Sequence, residues 1–199
     1  MEADENASDQ RAGRPRDPRI DRAVLRAAND LVRQHGYADL TIAAIAEAAG
    51  TTKPAIYRRW PSKAHLVHEA VFPSGENTSL PQTGSLSDDL REMLRRTAAA
   101  FSEPAARAAL PGLLAEISAD RSLHTALLER FQDGVWGALR QRLVEAAERG
   151  EVRSGVDPAA LLETIAGATL MALLIRDTDH LDDAWVEHSA ELLTKGITP

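Results

Sequence analysis

A chain of 199 residues is long enough for one large domain or two small ones, with a core that buries roughly two thirds of the unfolded surface. It carries 23 Lys and Arg against 30 Asp and Glu, a net charge of −7, and it has no cysteine, which excludes disulfides, thiolate metal sites and cysteine nucleophiles. An average charge of this sign argues against nucleic acid, yet the charge is unevenly spread. Residues 1–10 hold four acids and no base, residues 11–65 hold eleven bases against five acids, and residues 66–199 hold twelve bases against 21 acids. A basic block beside an acidic remainder is what a separate polyanion-facing part produces.

The 35 Ala and 24 Leu far outnumber 9 Val and 8 Ile, which favours an all-α chain. The acidic, polar start is unlike a secretory signal, and together with the missing cysteines it suggests a cytoplasmic protein. The longest uncharged apolar stretch, Thr164 to Ile175, is twelve residues and too short to span a bilayer, so no membrane partner is expected.

In chain order, residues 1–16 read as a polar arm. Asp17 and Pro18 then open a first helix, in which Ile20, Val24, Ala27, Ala28 and Leu31 share one face, and Gly36 stops it. Thr41 caps a short helix from Ile42 to Ala49, ended by Gly50. Thr52 caps a third helix, Lys53 to Trp60, with Pro54 in its first turn and Pro61 beyond its end. Ser62 caps a fourth helix to about Phe72, before Pro73. Two short helices joined by a glycine turn inside a basic block describe a helix-turn-helix, with Ala46, Ala49 and Ile56 at the crossing. A generic helical bundle with a basic surface is the competing reading.

The residue types assign roles within such a head. Thr41 and Ser62 stand at helix N-termini, whose free amides suit phosphate oxygens, and Lys63 adds a charged donor. Lys53, Pro54 and Arg58 are the candidates for base edges, since Lys and Arg donate to guanine and Pro packs on a thymine methyl. Thr52 caps the recognition helix, Ala55 permits its close approach, Tyr57 lies between the cations, and Arg59 is assigned to phosphate. Trp60 and Tyr37 read as packing residues, Tyr37 pinning helix one against the turn. In the arm, Arg14 and Arg16 flank Pro15 and either enter an A·T-rich minor groove or form a basic tail with non-specific attraction.

The run Ala28 to Val71 resembles the DNA-binding region of tetracycline-repressor (TetR) family regulators. The matching features are Gly36-Tyr37, Thr41-Ile42, Ile45-Ala46, Ala49-Gly50, Tyr57 through Lys63, and Leu66. Trp60 stands where Phe is commoner, and Thr51-Thr52 replace the usual Val-Ser. The resemblance implies DNA contacts from Thr41, Tyr57 and Lys63, and a C-terminal domain that dimerises through its last two helices. It also implies a pocket there for a small-molecule effector whose binding changes the spacing of the two DNA-reading heads. No cofactor is expected.

Residues 73–85, rich in Pro, Gly, Ser and Thr, separate the head (17–72) from a helical regulatory and dimerisation domain (86–199). Leu86, Leu90, Met93, Leu94, Thr97 and Phe101 form one stripe, and Leu110, Leu113, Leu114 and Ile117 another, with Pro111-Gly112 expected to bend or break the helix. A long segment from Asp120 to Arg149 points Leu127, Leu128, Phe131, Val135, Trp136, Leu139 and Leu143 inward, and Gly150, Gly155 and the cap Asp157 end it. From Ala159 to Ile175 only Glu163 is charged, so this helix needs cover on both sides. A two-fold dimer supplies it, through Leu162, Leu170 and Leu174 with Trp185, Ser189 and Leu192 of a final helix over about Asp182 to Lys195; central burial in one larger core is the alternative. Met93, Thr97, Phe101, Trp136, Thr169 and Met171 are the candidate effector walls, each with a plain core role as its competitor. Coupling between pocket and head is expected to run through packing against helix four.

An enzyme is not expected. His65, His68 and Glu69 have a spacing that could hold a metal but lack a further ligand nearby, and Asp177, Asp179, His180, Asp182 and Asp183 read as a loop and helix N-terminus. No nucleophile motif or phosphate-cradling glycine loop occurs. The sequence therefore describes a ligand-responsive repressor that binds a palindromic double-stranded DNA operator as a homodimer. The alternative is a helical ligand-binding or interaction protein without sequence-specific DNA binding.

Overall fold

A computed structural model describes residues 18–73, 81–131, 137–176 and 181–198. The described residues form helices and turns with no strand among them. Chain order is α1 (Pro18–Asp39), α2 (Ile42–Ala48), α3 (Lys53–Tyr57), α4 (Lys63–Val71), α5 (Leu86–Ser102), α6 (Pro104–Ala119), α7 (Arg121–Phe131), α8 (Gly137–Glu148), α9 (Pro158–Arg176) and α10 (Asp183–Ile197). Arg14, Arg16 and Asp17 lie outside the described residues, as do most of the 73–85 stretch, Val135, Trp136, Asp177, Asp179, His180 and the side chains of Leu127, Leu128 and Phe131.

The expected stops and caps sit where the residue types demand. Gly36 takes φ +77 and kinks the end of α1, and Gly50 takes φ +64 in the turn after α2, a left-handed conformation that costs glycine nothing. Thr41, Thr52, Ser62, Ser85 and Asp182 all accept from backbone amides at helix starts. Asp157 accepts from Ala159 N at 2.9 Å, so the α9 cap is also as expected.

Two expectations about helix length are corrected. The third helix ends at Tyr57 rather than Trp60, with Arg58 as its C-cap. Amides 58–60 still bond back to Pro54 and Ile56, so the expected residues turn as a tightened end rather than as regular helix. In turn, α6 runs through Pro111, although that residue has no N–H for the carbonyl one turn back. Burial of Ala105, Ala106, Ala109, Leu110 and Leu113 along α6 offsets the missing bond.

Two apolar clusters hold the fold, and their border does not fall at the 73–85 stretch. The first joins Val24, Ala28 and Val32 of α1 with Ile42, Ile45, Ile56, Trp60, Leu66 and Val67, and takes Ala105, Ala109 and Leu113 from α6 and Leu123 from α7. Ile20, expected on the inner face of α1, is exposed at the helix end, while Val32 completes that face. The second cluster joins α5, α8, α9 and α10 through Leu90, Leu94, Leu139, Leu143, Ile165, Val186 and Ala190. Within it Asp89 is fully buried and bonded to Arg142 Nε at 2.8 Å, Thr83 N at 2.8 Å and Thr83 Oγ1 at 2.7 Å.

Only Leu161, Ile165, Thr169 and Ala172 of α9 are buried, all on one face. Met171, Leu174 and Ile175 on the other face, and Leu192 of α10, are each more than half exposed. Counted with Glu163 and its flanks, α9 has 19 residues and is long and apolar enough to cross a membrane by length and composition, which corrects the length read from the uncharged stretch alone.

Candidate nucleic-acid interface

The interface is built on the short helices α2 and α3. Thr41 Oγ1 accepts from Ala44 N at 3.2 Å, an N-cap bond that leaves its hydroxyl proton free for an outside acceptor. Beyond Gly50, Thr52 Oγ1 accepts from Ala55 N at 3.3 Å and fixes the start of α3. Ile56 turns into the core while Thr52, Lys53, Pro54, Tyr57 and Arg58 all remain exposed and Ala55 is half-buried. A helix pinned by one buried isoleucine and a capping threonine thus presents two cations, a proline and a phenol to solvent. That surface has the chemistry for phosphates and base edges.

The expected packing residues prove to be anchors with polar partners. Trp60 is buried, and its Nε1 donates to Glu69 Oε2 at 2.8 Å, tying the end of α3 to α4. Glu69, which the sequence offered as part of a metal-like spacing, is therefore engaged with the head. His65 Nδ1 lies 2.9 Å from Ser62 Oγ at the α4 cap. Arg59 forms an ion pair with Asp21 of α1, so its guanidinium turns back onto the head, away from the phosphate role assigned to it. Asn29 Nδ2 donates to Ala70 O at 3.1 Å and closes α1 onto α4.

Lys63 has a second task beside its cationic one. Its Nζ donates to the Tyr37 carbonyl at 3.0 Å and lies 4.1 Å from the Tyr37 ring centroid, a cation–π arrangement. Tyr37 itself is buried, and burial with the neighbouring Glu116 carboxylate pushes its phenol well above the usual tyrosine range. Its Oη lacks a hydrogen bond of good geometry even so. Sequence reasoning missed Asp21, Asn29 and Glu69 as partners, because each pairs with a residue of another element, 9 to 41 positions away.

The candidate effector residues are only partly brought together. Met93 and Thr169 are buried and Thr97 is half-buried on the packed helices α5 and α9, where the two threonines bond to carbonyls of their own helices. Phe101 stands edge-on to Phe72 at 5.7 Å, between α5 and the end of α4. Met171 is separated from this group, since two residues along a helix from buried Thr169 point outward. A groove of about 450 Å³ lies elsewhere, between α8 and the turn before α9, lined by Arg140, Val144, Arg153 and Val156 among others. Of the candidate dimer residues, Leu162 and Trp185 pack partly on the second core, Leu170 and Ser189 are half-buried, and Leu174 and Leu192 face outward.

Known proteins share this arrangement. Residues 24–70 match the model for bacterial regulatory proteins of the tetR family, and residues 80–193 match the tetracyclin repressor-like C-terminal domain. An uncharacterized HTH-type transcriptional regulator of Mycobacterium tuberculosis, Rv1556, is 30% identical over 82% of this chain and 83% of its own length. The DNA-binding transcriptional repressor TetR of Mycobacteroides abscessus is 31% identical over 82% and 86%. Among solved structures, the TetR family transcription regulator SCO0332 superposes with a TM-score of 0.64 at 30% identity, covering 90% of this chain and 99% of its own.

Proposed function

We propose, from the premise that this chain belongs to the tetR family of bacterial regulatory proteins and is a DNA-binding transcriptional regulator, that it is a cytoplasmic repressor. It acts as a homodimer on a palindromic operator and leaves it when a small-molecule effector binds. The family consists of regulators, so no catalytic step is assigned. The observation that carries the DNA reading is the exposed row Lys53, Pro54, Tyr57 and Arg58 on a helix whose opposite side is locked by Ile56 and, through the following turn, by Trp60 and Glu69. Lys53 and Arg58 are the base-edge donors, Thr41, Tyr57 and Lys63 hold phosphates, and Arg14 and Arg16 reach the neighbouring minor groove.

The dimer reading rests on Met171, Leu174, Ile175 and Leu192, an apolar surface left uncovered on the last two helices. A second copy related by a two-fold axis covers it and sets two recognition helices one DNA turn apart. Met93, Thr97, Phe101 and Thr169 form the effector walls together with Trp136, which lies outside the described residues, and Met171 belongs to the dimer surface instead.

The test is a gel shift of the purified full chain, without detergent, on DNA upstream of its own gene. A discrete complex on a palindrome, surviving excess random DNA and weakening steeply with salt, is the expected result. Equal affinity for random DNA at moderate salt overturns the reading.

A further inference from the structure

Among the glycines at 36, 50, 84, 112, 150, 155, 167 and 196, Gly112 alone has a neighbour that a side chain would strike. Its φ is not in the left-handed region, so the backbone does not require glycine there, and glycine within a helix costs about 1 kcal/mol against alanine. The reason for glycine is room. A Cβ at position 112 would overlap Cγ, Cδ1 and Cε1 of the Tyr37 ring. One turn further along α6, Glu116 lies against the phenol end of the same ring. Tyr37 is therefore seated on the bare backbone of α6.

That ring also carries Lys63. Its carbonyl accepts from Nζ at 3.0 Å and its π face receives the ammonium at 4.1 Å, so both positional restraints on Lys63 come from Tyr37. An ammonium has three donors, and with one spent on the Tyr37 carbonyl the others stay available to an outside oxygen from this half-buried position.

We infer that Gly112 and Tyr37 are positioning residues for Lys63, so that α6 of the regulatory half sets where a phosphate-contacting charge of the DNA site stands. This rests on the proposed phosphate role of Lys63 and adds to it the element that aims the side chain. Shifting the α6 backbone moves the Tyr37 seat, and with it the ammonium, without any change in the recognition helix.

The experiment measures binding of the full-length chain to a 40-bp duplex selected from a random pool by the wild-type protein, over a range of salt. Lys63→Met should lower the slope of log affinity against log salt by about 0.9 for each phosphate that the ammonium neutralises. Gly112→Ala, shown folded and of wild-type oligomeric state by circular dichroism and sizing, should lower the slope in the same direction. In the Lys63→Met background it should then change the slope no further. If Gly112→Ala does not fold, Tyr37→Leu, which keeps an apolar residue but removes the ring under Lys63, should lower the slope in the same way. A folded Gly112→Ala or Tyr37→Leu protein with an unchanged slope, beside a reduced slope for Lys63→Met, overturns the positioning role and leaves the regulator reading intact. An unchanged slope for Lys63→Met overturns the phosphate contact and the positioning role together.

Discussion

The DNA-reading head uses helices of 7, 5 and 9 residues after α1, whereas the regulatory half relies on helices such as α5 and α9 with 17 and 19. Helices that short are not stable on their own, because too few hydrogen bonds repay the ordering of the first turn. The head compensates with a capping hydroxyl on each of α2, α3 and α4 and with polar ties that cross elements: Trp60 to Glu69, Asn29 to Ala70, Lys63 to Tyr37 and Arg59 to Asp21. The body caps and ties its longer helices too, with Arg91 to Glu187 and Arg142 to Asp89, and among the described residues it buries the polar side chains of Asp89 and Thr169, but it leaves a face of α9 without cover. Rigid presentation of a few side chains suits base reading, and an uncovered apolar face suits the proposed two-fold pairing.

Trp60→Ala breaks the comparison from the head side. Loss of a buried indole and its bond to Glu69 should cost about 3–5 kcal/mol and abolish DNA binding, read by denaturant unfolding and gel shift. From the body side, Arg142→Met leaves the Asp89 carboxylate buried without its cation and should cost a similar ~3–5 kcal/mol. Because α6 sits in the head's core, both variants should unfold in one transition; two resolved transitions for either would show that the clusters are independent.

Leu174→Asp is next in size. The side chain is exposed, so folding should survive while sizing with light scattering shows monomers and affinity for the palindrome falls at least about tenfold. Retention of the dimer would remove α9 from the interface. Arg58→Ala should cost about 1–3 kcal/mol and relax preference at one base position, measured by selection from a random pool.

The smallest effect belongs to a surface cluster of the body, Glu92 with Arg95 and Arg96. Hydrogen bonds from Arg96 and Arg95 hold the Glu92 carboxyl below the usual carboxylate range. Its contribution is thus present above the unfolded-state pKa and lost as pH falls through the lower folded value. Glu92→Gln should cost about 0.3–0.5 kcal/mol at neutral pH, and the difference from wild type should vanish in acid.

Much of the head is legible in the chain because its signals are local. Thr41, Gly50, Thr52 and Ser62 act within four residues of themselves, and their types fix caps and turn regardless of what lies elsewhere. The inward place of Ile56 and the outward place of Lys53 and Arg58 follow from helical spacing alone. Pro111 shows the limit of such signals, since a proline in mid-helix is tolerated when burial on either side exceeds the missing bond. Met171 shows another, for a residue in a helix apolar nearly all round carries no local mark of which face is covered.

The sequence by itself determined the all-helical class, the capped short helices, the segregated charge and the exposed row of Lys53, Pro54, Tyr57 and Arg58. Each depends on residues a few positions apart, where backbone geometry leaves little choice. Tertiary structure alone decided that Arg59 turns to Asp21, that Glu69 receives the Trp60 indole, that α6 belongs to the head's core, and that Gly112 seats Tyr37 beneath Lys63. These pairings join positions from 9 to 75 residues apart, and they exist only once packing has fixed which helices meet.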